Sequence, residues 1–96
     1  METILIKNNY TEVIPVGSTS GRGVFVNYTA SRGTLFEVGS IQIINKTSSA
    51  SVNAESGGDE VGITFTASIT TSNIYLLAIA SDSAGRIEFK YTIKNI

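Results

Sequence analysis

The sequence predicts an all-β protein: a small antiparallel β-sandwich or jelly-roll-like barrel of about seven to eight strands, ending in a three-strand meander. Three observations predict it. Val (7), Ile (13) and Thr (11) together fill about a third of the 96 residues, against 4 Leu and 1 Met. Such β-branched side chains are stiff at χ1 and suit a pleated surface. Apolar and polar residues alternate with period two over long stretches, and no segment holds a helical period beyond one turn. Clusters of Gly, Ser and Asn recur between these stretches and supply turns. A chain of this length holds one core, so residues 1–96 are read as a single β domain.

The elements follow in order. Residues 3–7 form a first strand, closed by the turn signal Asn8-Asn9. Residues 12–16 form a second that contains Pro15, which cannot donate to a ladder and so marks an edge or bulged strand. Residues 17–21 are a loop. Residues 23–29 form a strand with Val24, Val26 and Tyr28 on one face, and residues 30–33 turn the chain. Residues 35–45 form a long strand with an expected break at Gly39 and Ser40, where a bulge or bend would carry it round a corner. Phe36 and Val38 share a face before the break, and Ile41 and Ile43 continue after it. Residues 51–55 are a short polar strand, and Ser56-Gly57-Gly58-Asp59 is the clearest loop tip.

The last third carries the cleanest pattern. In residues 61–70, Val61, Ile63, Phe65, Ala67 and Ile69 point one way, and Gly62, Thr64, Thr66, Ser68 and Thr70 the other. A turn at residues 71–73 leads into residues 74–80, which are apolar on both faces. That composition belongs to a central strand or one lying under a neighbour. Asp82-Ser83-Ala84-Gly85 reads as a hairpin turn. Residues 86–94 alternate again, with Ile87, Phe89, Tyr91 and Ile93 inward.

Chemistry is scarce. The chain has no Cys and no His, which removes disulfides, thiol nucleophiles, cysteine zinc sites and the commonest general base. No catalytic, cofactor-binding or metal-ligating residue is assigned. The carboxylates Glu55, Asp59 and Glu60 lie near one loop, and Glu37 or Asp82 could join them, but they lack the alternating spacing of a calcium loop. The net charge is −1 and the basic residues are scattered, so neither nucleic acid nor an anionic membrane is indicated as a partner. No apolar run approaches the roughly 18 residues of a spanning helix. The first six residues lack the basic start and the apolar length of a signal peptide. There is no Trp to build a sugar platform, which leaves Tyr10, Tyr28 and Tyr75 as the aromatic candidates. The candidate interaction surface is the uncharged hydroxyl row Thr64, Thr66, Ser68 and Thr70, with Tyr75 and, in the Gly-rich loop, Arg22.

The last third runs Gly62-Ile63-Thr64-Phe65-Thr66-Ala67-Ser68-Ile69, then Asn73-Ile74-Tyr75-Leu76-Leu77, then a small-residue turn, then Ile87-Glu88-Phe89-Lys90-Tyr91-Thr92-Ile93-Lys94, a β-meander pattern with few obligatory residues. Residues 61–94 resemble the C-terminal β module of bacteriophage virion proteins. The resemblance implies a non-catalytic structural part of the particle: a tail, fibre, adaptor or head-decoration component, made in the host cytoplasm and resident in the virion. It implies a homo-oligomer that also packs against other virion proteins. The alternative is a β-sandwich binding module for host-surface carbohydrate, marked by Tyr10, Tyr28 or Tyr75 lining a groove beside carboxylates.

Overall fold

The computed structural model describes residues 2–7, 9–46, 49–81 and 85–95. These form eight strands and no helix: β1 (Glu2–Ile6), β2 (Thr11–Ser18), β3 (Gly23–Arg32), β4 (Leu35–Asn45), β5 (Ala50–Gly58), β6 (Ile63–Ile69), β7 (Asn73–Ala80) and β8 (Ile87–Asn95). Two antiparallel sheets result, one of five strands in the order β1-β8-β3-β4-β5 and one of three in the order β2-β7-β6. The all-β sandwich expected from composition and alternation is what the chain builds.

The strand pattern corrects the sequence reading at four places. The ending is not a three-strand meander. β6 and β7 pair as a hairpin, but β8 crosses to the other sheet and lies between β1 and β3. The turn expected at Asp82, Ser83 and Ala84 falls outside the described residues, as does Asn8 of the first turn. The link from β7 to β8 is therefore a crossover and not a hairpin. Period two alone says which face a side chain takes, not which sheet the strand joins.

β4 does not break at Gly39 and Ser40. Its register with β3 runs without interruption from Leu35 to Ile44. With parity unbroken, Ile41 and Ile43 point into the core, fully buried, while Phe36 and Val38 stand on the outer face, half-exposed. β3 continues through residues 30–32 to pair Arg32 with Leu35, so the turn shrinks to Gly33 and Thr34, with Gly33 at φ +61°. The supposed loop tip is ladder as well: Gly57 pairs with Val38 and Gly58 with Glu37. Asp59 extends that ladder, since its N–H donates to Phe36 O at 2.8 Å and its Oδ2 accepts from Phe36 N–H at 3.0 Å.

Pro15 behaves as its chemistry requires. β2 is an edge strand, and its register with β7 shifts between Pro15 and Gly17 in a β-bulge. The core lies between the sheets. Ile14, Ile74, Leu76 and Ala78 come from one side, and Val24, Val26, Ile41, Ile43, Ile87 and Phe89 from the other, all at most 1% exposed. An aromatic group ties the layers. Tyr28, Phe89 and Tyr91 stack and Phe65 packs tilted against Tyr28 and Phe89, with ring centroids 5.0–5.8 Å apart, spacings at which such pairs attract beyond the burial of their area.

Candidate interaction surface and the cleft beside it

Register defines the outer face of the three-stranded sheet. Thr11, Ile79 and Thr64 lie side by side, then Val13, Leu77 and Thr66, then Pro15, Tyr75 and Ser68. Their partners on the inner face (Ile14, Leu76, Ala78) are buried, so this grid faces outward. It carries no charge. Val13 is 55% exposed and Ile79 37%. β7 is apolar on both faces, as the sequence indicated, but only its inner face is covered. A continuous apolar strip flanked by hydroxyls loses little hydration energy when another protein surface packs on it, unlike a charged face.

The structure therefore brings Thr64, Thr66, Ser68 and Tyr75 together on one face. Thr70 sits at its end, in the β6–β7 turn, where its N–H donates to Asn73 O at 2.9 Å. Arg22 lies apart from the grid, exposed in the β2–β3 turn. That turn is fixed to the β6–β7 turn: Thr19 N–H donates to Ser72 O at 3.2 Å and Thr19 Oγ1 to Thr71 O at 2.8 Å. Asn45 Nδ2 adds bonds to the carbonyls of Thr19 and Gly21. The two turns thus form one end of the sandwich.

Sequence reasoning missed a second feature. The five-stranded sheet is wider than its partner, so the inner side of β5 is left partly uncovered. A cleft of about 450 Å³ opens there, against β6, with Phe65 and Ile63 on one wall and Ala54 and Ser56 on the other. Its floor holds Tyr28 and Glu37, 4% and 6% exposed, and Glu60 lies at the rim. The Tyr28 hydroxyl donates to Glu37 Oε2 at 2.7 Å, and Val61 N–H reaches Glu37 Oε1 at 3.4 Å. Burial, the hydrogen bond to Glu37 and that group's negative charge hold the Tyr28 phenol well above its ordinary value; a hydrogen bond from Ser56 pulls the other way.

Gly39 explains how Tyr28 fits. The two residues pair across β3 and β4. A Cβ at Gly39 would lie 2.7 Å from the Tyr28 ring and hydroxyl, and would meet the Glu55 carbonyl. The glycine is there so that the ring can lie across the strand and reach Glu37. At the far end, Arg32 is buried and its Nη2 donates to Ser81 O at 3.4 Å. It passes Gly62, whose φ of +82° no side chain would favour.

Of the carboxylates grouped by sequence, Glu37 and Glu60 share the cleft. Glu55 turns to the outer face beside Phe25 and Gln42, and Asp59 is spent on Phe36. Among the described residues, no cluster of three or more His, Cys, Asp and Glu side chains is placed to hold a metal ion. Lys90 pairs with Glu88 at 3.5 Å on the outer face of β8. Tyr10 is 49% exposed just before β2, and its carbonyl accepts from Ala80 N–H at 3.0 Å; it does not line the cleft. Among the described residues, no helix is long and apolar enough to cross a membrane.

The class these observations define is an unequal antiparallel β-sandwich with one uncharged outer face. No family model matches the chain, and no curated protein matches it. Among solved structures it is similar to the tailspike protein of Acinetobacter phage vB_ApiP_P1, at 16% identity and a TM-score of 0.45. That match covers 98% of this chain and 22% of the tailspike, so the chain spans about a fifth of the protein it matches.

Proposed function

We propose that this chain is a non-catalytic structural module of a bacteriophage particle, acting by packing its sheet surfaces against copies of itself and against neighbouring particle proteins. The observation that carries the reading is the uncharged outer face of the three-stranded sheet. Val13, Leu77, Ile79 and Tyr75 stand there on neighbouring strands β2 and β7, Val13 and Ile79 exposed and Leu77 and Tyr75 half-buried. The resemblance of residues 61–94 to virion β modules supports the same reading, since those residues include β6 and β7. The test is native mass by light scattering at micromolar concentration and after dilution, with mass spectrometry of purified virus particles. A mass above the monomer and a stoichiometric place in the particle are the expected results. A monomer that is absent from particles overturns the reading.

The cleft favours a second reading, a carbohydrate-binding module. Tyr28, one of the expected tyrosines, presents its hydroxyl there beside the carboxyls of Glu37 and Glu60, with Phe65 as an apolar wall. A glycan array tests it. Binding that is lost in Glu60→Gln and Ser56→Ala supports it, and an array with no signal removes it.

A further inference from the structure

We infer that β6 is a self-pairing edge, through which a second copy of this chain continues the three-stranded sheet. This deepens the packing reading above and rests on it. Thr70 N–H bonds to Asn73 O and Ser81 N–H to Gly62 O, so the even-numbered residues of this stretch turn their backbone groups toward β7. In an antiparallel ladder the odd-numbered residues then aim theirs away. Residues 63, 65, 67 and 69 accordingly present a row of donors and acceptors at the open edge of the sheet.

The other edges are blunted and this one is not. β1 is five residues long and begins at Glu2, β2 carries Pro15 and a bulge, and β5 carries Glu55 and ends in two glycines. Such features are how sheets avoid pairing edge to edge. β6 reads Ile-Thr-Phe-Thr-Ala-Ser-Ile, with no charge, proline or glycine. Its inner side chains stay half-buried where those of β7 are fully covered.

The strand is also complementary to itself. Pairing it antiparallel with its own copy about Thr66 sets Thr66 against Thr66, Thr64 against Ser68, Phe65 against Ala67 and Ile63 against Ile69. Hydroxyls meet hydroxyls on the outer face. On the inner face the largest side chain meets the smallest, and nowhere do like charges oppose. The odd-numbered pairs are the hydrogen-bonded ones, giving about eight backbone bonds across the two-fold axis. The even-numbered pairs are the closer, non-bonded ones.

That register makes a test. The chain has no cysteine, so one introduced thiol is unambiguous. Non-bonded partners have Cα atoms about 4.5 Å apart, within the roughly 4.4–6.8 Å that a disulfide spans. Thr66→Cys therefore cross-links to a covalent dimer on mild oxidation. Thr64→Cys and Ser68→Cys do not when oxidised alone, but cross-link when mixed. Thr66→Lys, which sets two ammonium groups against each other, drops the light-scattering mass. The inference is overturned if Thr66→Cys cross-links no faster than Thr92→Cys on the other sheet, or if Thr64→Cys cross-links equally well. A Thr66→Cys chain that stays uncross-linked while the wild type exceeds monomer mass removes the edge contact and leaves the packing reading standing. A monomeric wild type with no cross-link removes both.

Discussion

Tyr28→Phe removes one oxygen atom and tests whether the polar pair at the floor of the cleft holds the sandwich together. The ring keeps its place against Phe65 and Phe89, at centroid distances of 5.0 and 5.3 Å, so the packing change is small. What is lost is the 2.7 Å bond to Glu37 Oε2. Glu37 is 6% exposed, and its remaining bond to a described residue is from Val61 N–H at 3.4 Å. A hydrogen bond to a charged group contributes about 1.5–3 kcal/mol, and a buried acceptor left short of donors loses its hydration without repayment. The expected cost is about 2 kcal/mol in urea unfolding at neutral pH, read as a shift in midpoint at unchanged slope. Glu37→Leu alone takes the acceptor from the Tyr28 hydroxyl, which keeps only the bond from Ser56, and costs a similar amount. The double variant costs less than the sum, because neither group is then stranded. A Tyr28→Phe cost below about 0.5 kcal/mol, or strict additivity in the cycle, would refute the argument that this bond is the reason for an inward-facing Glu37.

The other expectations rest on the same residues. Tyr28 and Tyr91 both have phenols held above the ordinary value of 10.0, Tyr28 by burial and by Glu37, and Tyr91 by burial and by the charges of Glu2 and Glu12. Above about pH 10 the unfolded chain gives up these protons while the folded chain keeps them, so stability is complete below that pH and falls above it, at up to about 1.4 kcal/mol per pH unit for Tyr28, with Tyr91 acting in the same direction. Urea midpoints from pH 8 to 11 check this, and Tyr28→Phe should flatten the decline. Gly39→Ala drives a Cβ into the Tyr28 ring and the Glu55 carbonyl and should cost about 1–3 kcal/mol or more by thermal melting. Val13→Lys, on the exposed grid beside Leu77, should leave stability within about 0.5 kcal/mol. It should also lower the native mass at a given concentration.

Where period two was unbroken, the sequence could be read directly. Ile63, Phe65, Ala67 and Ile69 face the core and Thr64, Thr66 and Ser68 face out, because the alternation in β6 is a local property of the pleat. Two of the differences, at Gly39 and at residues 56–59, share one cause. Gly39 looked like a break, and Ser56-Gly57-Gly58-Asp59 looked like a tip, because glycine has two reasons to occur in a strand. It permits turns, and it makes room for a neighbour. Only the residue across the ladder decides between them, and for Gly39 that is Tyr28, eleven positions away in the chain. The same limit hid the cleft. Tyr28, Glu37 and Glu60 are ordinary residues one at a time, and become a site only when the register of β3 on β4 sets Tyr28 beside Gly39.

β8 shows how far this reaches into function. Its alternation fits either sheet equally well. Had it followed β7 in the three-stranded sheet, the order would have been β2-β7-β6 with a fourth strand beside it, and one edge of that sheet would have carried Glu88, Lys90 and Lys94. Instead β8 sits between β1 and β3, where Tyr91 lies opposite both Glu2 and Tyr28 and Phe89 completes the aromatic group. The charged strand is thereby paired on both sides, and its cations face outward from the five-stranded sheet. The uncharged strand β6 is left at an edge. One choice of sheet thus stabilises the core and exposes the surface on which the packing proposal depends. Substitutions that weaken the aromatic group should loosen self-association together with the fold, whereas Thr66→Lys and Val13→Lys should separate the two.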